Sequence, residues 1–76
     1  MKSVKISLGL AESVKKFVAI VGKYPYDIDL RSGRFVIDAK SLLGIFSLDL
    51  SKPVVLEVHS DDCDALLPDL KDYIVD

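Results

Sequence analysis

The chain has one cysteine, one histidine, and no excess of either charge among its 76 residues. Each scarcity closes off a class of function. Cys63 alone cannot form an internal disulfide, which fits a reducing cytoplasmic setting. A net charge of −2 gives no general case for nucleic acid or an anionic membrane surface as partner. No apolar run approaches the ~20 residues a membrane-spanning helix needs. Met1-Lys2-Ser3-Val4-Lys5 has the charge of a signal-peptide start, but the stretch behind it alternates and breaks at Gly9, so no signal peptide is expected. Linkers, repeats and low-complexity tracts are absent too. One domain spanning 1–76 is expected, half hydrophobic by composition. Chains of this size bury only about 60% of their unfolded surface, so each core side chain counts.

What is present reads as alternating periods. Val4, Ile6 and Leu8 alternate with Lys5 and Ser7, the pattern of a half-buried strand. Val14, Phe17, Val18 and Val21 then fall on one helix face, with Gly22 as the stop signal and Ser13 as the expected cap. Tyr26, Ile28 and Leu30 predict a second strand. A loop at Ser32-Gly33 would close a hairpin pairing Arg31 with Arg34, Leu30 with Phe35 and Ile28 with Ile37. The third strand ends at Asp38, and a short helix begins near Ser41. Pro53 opens a fourth strand through Val54, Leu56 and Val58. Leu66, Leu67, Leu70, Tyr73 and Ile74 have helical spacing. Pro68 among them predicts a kink, or a helix that begins only near that residue. The order βαββαβα predicts an α+β open-faced sandwich, with a four-stranded antiparallel sheet and three helices on one face.

The short helix carries the clearest candidate site. Ser41 stands where its hydroxyl can cap the helix. The same hydroxyl is a candidate phosphorylation site, its phosphate stabilised by unpaired amides, with Lys40 placed to neutralise the charge. Leu42 with Ile45, and Leu43 with Phe46, form two i, i+3 pairs about a hundred degrees apart. One short helix cannot bury both. Leu42 and Ile45 are assigned inward, leaving Leu43 and Phe46, with Lys40, as a partner-binding surface whose apolar patch is exposed unless the first helix or the following loop covers it.

Lys40-Ser41-Leu42-Leu43-Gly44, together with Lys23-Tyr24, the segment Tyr26 to Leu30, and Lys52, resembles the HPr proteins, the histidine-containing phosphocarriers of the bacterial sugar phosphotransferase system. The resemblance runs from about residue 4 to residue 60 and more loosely through the last helix. It implies the same fold and a bacterial, cytoplasmic, non-enzymatic monomer without cofactor. Its partners would be proteins: phosphotransferase-system enzymes, a serine kinase or a transcription regulator of the HPr type. In HPr of low-GC Gram-positive bacteria, a kinase modifies the serine that Ser41 matches.

The family's other hallmark is missing. Its members carry Gly, an aliphatic residue, His, any residue, Arg and Pro where the first helix starts. Ungapped counting back from Lys23-Tyr24 puts Leu10 at the histidine and Glu12 at the arginine. Matching Gly9-Leu10 to the motif instead, with a one-residue deletion, gives Ala11 and Ser13. Neither leucine nor alanine has a lone pair for phosphorus, and Glu12 would repel a phosphoryl group.

The expectation is a regulatory, partner-binding domain without phosphocarrier chemistry. Two alternatives remain: a non-standard acceptor, Ser13 or His59, or a scaffold that has left sugar uptake. Unactivated serine is a poor nucleophile, and His59 belongs to a strand end rather than a helix start. His59, Asp61, Asp62, Cys63 and Asp64 include metal-ligating types but lack the paired spacing of a zinc motif, so no metal is expected.

Overall fold

A computed structural model describes residues 2–61 and 64–75. Strand β1 (Lys2–Ile6) leads to helix α1 (Ala11–Val21), and the hairpin strands β2 (Ile28–Ser32) and β3 (Phe35–Asp38) follow. Helix α2 (Leu42–Phe46), strand β4 (Val54–Val58) and helix α3 (Leu66–Asp69) complete the βαββαβα order. The sheet runs β1-β4-β2-β3, antiparallel throughout. This is the open-faced sandwich that the alternating periods predict.

The core forms because period-2 and period-3.6 apolar positions meet. Ile6, Ile28, Leu30, Val54, Leu56 and Val58 give the covered sheet face, and Val14, Phe17 and Val21 of α1 lie on it. Ile45 of α2, together with Leu66 and Leu70, closes the layer. Fully burying side chains of this size stabilises by about 1.5–3 kcal/mol each. No polar side chain is buried among the described residues, so the layer carries no unpaired polar group. No helix among those residues is long and apolar enough to cross a membrane.

The hairpin register differs from the expected one. Ser32 pairs with Phe35, Arg31 with Val36, Leu30 with Ile37 and Asp29 with Asp38, so the loop is Gly33-Arg34. Backbone sterics explain the change. Gly33 has φ of 59°, while no other described residue has positive φ. Positive φ at the first central position alone is the type II′ arrangement, which a Gly-X pair satisfies. A Ser-Gly loop of type I′ would force Ser32 into that region. The observed pairing also separates Arg31 from Arg34. Because each partner moves by two residues, Leu30 and Ile37 still share the covered face.

Both ends of the last segment depart from a continuous helix. Helix α3 is only four residues long, and Pro68 lies in its first turn, where a missing amide donor costs little. The helix therefore begins close to Pro68, one of the two outcomes expected. Tyr73 and Ile74 are not helical. The Ser7 amide donates to the Tyr73 carbonyl at 2.8 Å, the Val75 amide to the Lys5 carbonyl at 3.0 Å, and Ile74 bridges Ile6. The tail thus covers the outer edge of β1. Tyr73 also meets Phe17 edge to face, with ring centroids 6.2 Å apart. Tyr26 stands before β2 rather than within it and stacks on Tyr24 at 5.7 Å.

Candidate functional site

Ser41 has extended backbone (φ −98°, ψ 103°) and occupies the cap position of α2. Its Oγ accepts a hydrogen bond from the Gly44 amide at 3.2 Å, and its carbonyl accepts the first helical bond from Ile45. Gly44 has a specific role here. A Cβ at that position would stand 3.1 Å from Ser41 Oγ, so the missing side chain leaves room for the capping hydroxyl. At the other end of the helix, the Ser47 hydroxyl donates back to the Gly44 carbonyl at 2.5 Å.

The five residues of α2 sort as their spacing predicts. Ile45 is buried and Leu42 half-buried, whereas Leu43 is 83% exposed and Phe46 42% exposed. Neither α1 nor the following loop covers Leu43, although α1 and α2 pack together. The apolar patch expected from sequence is therefore present on the surface.

Lys40 has a different task from the one expected. Its Nζ donates to the Tyr24 carbonyl at 2.7 Å, in a half-buried position, and its amide is held by the Asp38 carboxylate at 2.9 Å. The ammonium therefore braces the loop between α1 and β2, and is not free beside Ser41. The Tyr24 hydroxyl fastens the same loop on its other side. It donates to the Asp69 carboxylate at 2.6 Å, and this bond, with the nearby negative charge, pushes the phenol up to about 12.

The start of α1 is equally defined. Leu10 is the cap residue (φ −116°, ψ 143°) and offers no side-chain bond, and its carbonyl receives the Val14 amide. Ser13 is inside the first turn and does not cap the helix, contrary to expectation. A serine just before an apolar periodic run carries the usual cap signal, but here the helix starts two residues earlier. Leu10 stands 69% exposed, and Ala11 and Glu12 are exposed beside it. Glu12 reaches only Lys16, in an exposed i, i+4 pair at 3.7 Å. No imidazole or guanidinium belongs to this helix start, which offers an anion one carboxylate and no cation from its first four residues.

His59 lies elsewhere. Ile6 pairs with Val54 and Lys2 with Val58, so β4 begins at the sheet end where β1 leads to α1, and finishes at the opposite end. His59 follows Val58 on that far side, where Nε2 is 2.8 Å from the Asp29 carboxylate on the open face. Arg31 and Glu57 form the neighbouring open-face pair at 3.1 Å. No metal-holding group of three His, Cys, Asp or Glu side chains occurs among the described residues. Asp62 and Cys63 of the expected acidic cluster lie outside them.

A groove that sequence spacing does not reveal runs between the β2–β3 turn and the α2–β4 loop. It encloses about 610 Å³, and its lining residues come from three separate stretches. No local motif joins them, so only the register of the sheet brings them together.

Comparison with known proteins gives a consistent result. The family model described as "PTS HPr component phosphorylation site" matches residues 3–75. The chain is similar to HPr-C-His from Thermoanaerobacter tengcongensis, with 29% identity over 95% of this chain and 89% of that one, and a TM-score of 0.79. It is also similar to the phosphocarrier protein HPr of Bacillus anthracis str. Ames, with 25% identity, coverage of 97% and 94%, and a TM-score of 0.72. A comparison with curated proteins found no match.

Proposed function

Because the chain belongs to the HPr family of the phosphotransferase system, and α1 opens without an imidazole, we propose that it is a regulatory, partner-binding domain without histidine phosphocarrier activity. One observation carries this reading: Leu10, Ala11 and Glu12 occupy the helix start, and none offers a nitrogen nucleophile. Phosphoryl transfer needs an attacking lone pair and positive charge to stabilise the transferring group. This helix start supplies no cationic side chain, and its side-chain lone pairs are those of the Glu12 carboxylate and the unactivated Ser13 hydroxyl. The one carboxylate beside Ser13, Glu12, faces Lys16 at 3.7 Å, and His59 sits at the other end of the sheet against the Asp29 carboxylate.

The control point is Ser41. A kinase of the HPr type would transfer the γ-phosphoryl of ATP to Oγ, releasing ADP, with the hydroxyl proton passing to the kinase's base. The added charge of about −1.5 to −2 would stand two residues from the exposed Leu43. Phosphorylation would thereby change the surface offered to a protein partner while leaving the buried side of α2 in place. The partner is of the type HPr proteins meet, a phosphotransferase-system enzyme or a transcription regulator, in a bacterial cytoplasm.

Incubation with phosphoenolpyruvate and the system's first enzyme tests the first half, beside an ordinary HPr as positive control. The expected outcome is label on the control and none on this chain. Acid-labile label here would overturn the proposal. Incubation with ATP and an HPr serine kinase tests the second half by intact-mass spectrometry. One added phosphate, lost in Ser41→Ala, is expected; an unmodified mass would remove Ser41 as the switch.

A further inference from the structure

The groove between the β2–β3 turn and the α2–β4 loop combines two properties. Arg31, Arg34 and Lys52 border it, and Phe35, Leu48 and Pro53 give it apolar surface. Phe35 is 68% exposed although it stands on the covered side of the hairpin, beside the turn and opposite Ser32. On a chain with net charge −2, three cations bordering one cleft are a local reversal of sign.

The charges there are unequally engaged. Arg31 already meets Glu57 at 3.1 Å. The groove's one carboxylate, Asp49, accepts bonds from the amide and hydroxyl of Ser51, at 3.1 and 2.6 Å, and so is turned into its own loop. Lys52 lies near enough to favour the charged form of Asp49, while the Arg34 side chain makes no ion pair or hydrogen bond among the described residues. An exposed phenylalanine beside an unpaired guanidinium gives both an apolar anchor and a charge-assisted donor. Aromatic and arginine side chains are the residue types that most often dominate binding energy at protein interfaces.

We propose that this groove binds a short acidic segment of a protein partner, with one or two apolar side chains of that segment seated against Phe35 and Pro53 and its carboxylates on Arg34 and Lys52. The cleft volume suits a few side chains rather than a folded domain. Three cations fall short of the phosphate-tracking stripe that a nucleic acid would need. The inference does not rest on the Ser41 reading, since none of these residues belongs to α2 or to the start of α1.

The test is an amide-resolved NMR titration of the full chain with an N-acetylated peptide in which glutamates alternate with leucine and phenylalanine. Saturable shifts are expected at Arg31–Val36 and Leu48–Val55. Affinity should fall about tenfold in the double variant Arg34→Glu, Lys52→Glu and fall with added salt. Phe35→Ala should weaken binding while retaining the salt dependence. Both variants alter exposed side chains, and an unchanged thermal midpoint will show that they fold. The idea is refuted by shifts centred on Leu43 and Phe46, by equal binding of the peptide's lysine-for-glutamate counterpart, or by equal affinity for oligo-dT. It is also refuted if the same residues shift only with the chain's own concentration, which would make the groove a self-association surface.

Discussion

Gly44→Ala should change stability by different amounts depending on whether Ser41 is present. Alanine gains about 0.5–1 kcal/mol over glycine inside a helix, from the backbone freedom that glycine loses on folding. Against this, the new Cβ would stand 3.1 Å from Ser41 Oγ, closer than such contacts normally allow. The hydroxyl is the end of a side chain that can rotate, so the clash is relieved by turning away, and the bond to the Gly44 amide is then lost. Loss of a serine cap costs about 1 kcal/mol. Ile37 Cδ1, at 3.5 Å, adds only ordinary contact. The single variant should therefore be nearly neutral. Ser41→Ala alone should cost about 1 kcal/mol. Adding Gly44→Ala to it should recover about 0.5–1 kcal/mol, since no hydroxyl remains to be displaced. For a domain of this size, 1 kcal/mol moves the melting midpoint by about 4–8 °C, well within reach of circular dichroism. Urea melts of all four proteins complete the cycle. If Gly44→Ala stabilises both backgrounds equally, the hydroxyl is not confined by the glycine and the reasoning fails.

Four further outcomes follow from the same geometry. Leu43→Asp should leave stability within about 0.5 kcal/mol of the parent yet abolish capture of the regulatory partner; a large drop in the melting midpoint would mean that the side chain is packed, not exposed. Phe17→Ala removes a fully buried ring and should cost about 3–5 kcal/mol by denaturant titration, most of the stability of so small a domain; a cost below 1 kcal/mol would contradict the core described. Truncation after Asp72 removes two backbone bonds to β1 and the Tyr73 ring, so a loss of about 2–4 kcal/mol is expected, with faster hydrogen exchange at Ser7; unchanged exchange would show that the tail does not pair. The Tyr24 phenol should ionise late, near 12, in an ultraviolet alkaline titration. Its folded value lies above the ordinary 10, so its contribution is intact below 10 and is lost as pH rises through 12. In Tyr24→Phe the transition near 12 should vanish, and its persistence would assign it to another residue.

Much of the architecture was legible because its signals are periodic and local. Ile6, Leu30 and Leu56 occupy alternating positions that only a one-sided sheet satisfies, and Phe17 with Val21 marks the face of α1. The hairpin pairing was not legible at the same level. Face assignment survives a two-residue slip, so apolar alternation cannot separate the two registers; only the sign of φ at Gly33 does. The tail departs from expectation because Leu70, Tyr73 and Ile74 fit helical spacing by number, while the edge beside Lys5 to Ser7 offers the backbone from Tyr73 onward a different partner. Within the candidate site, Ser41, Leu43 and Phe46 were readable because α2 is one uninterrupted segment. Lys40 was not, since the carbonyl it binds lies sixteen residues upstream. Arg34 and Lys52 border one groove only because the sheet brings their segments together, and no spacing rule could have joined them.

The bridge between Ile74 and Ile6 has a temporal consequence. Strand β1 finds one neighbour in β4 and the other in the segment around Ile74, so both of its sides wait on residues far downstream. Pairings over such separations are slow to form, and a chain interrupted between β4 and Ile74 would keep a bare, pairing-competent rim.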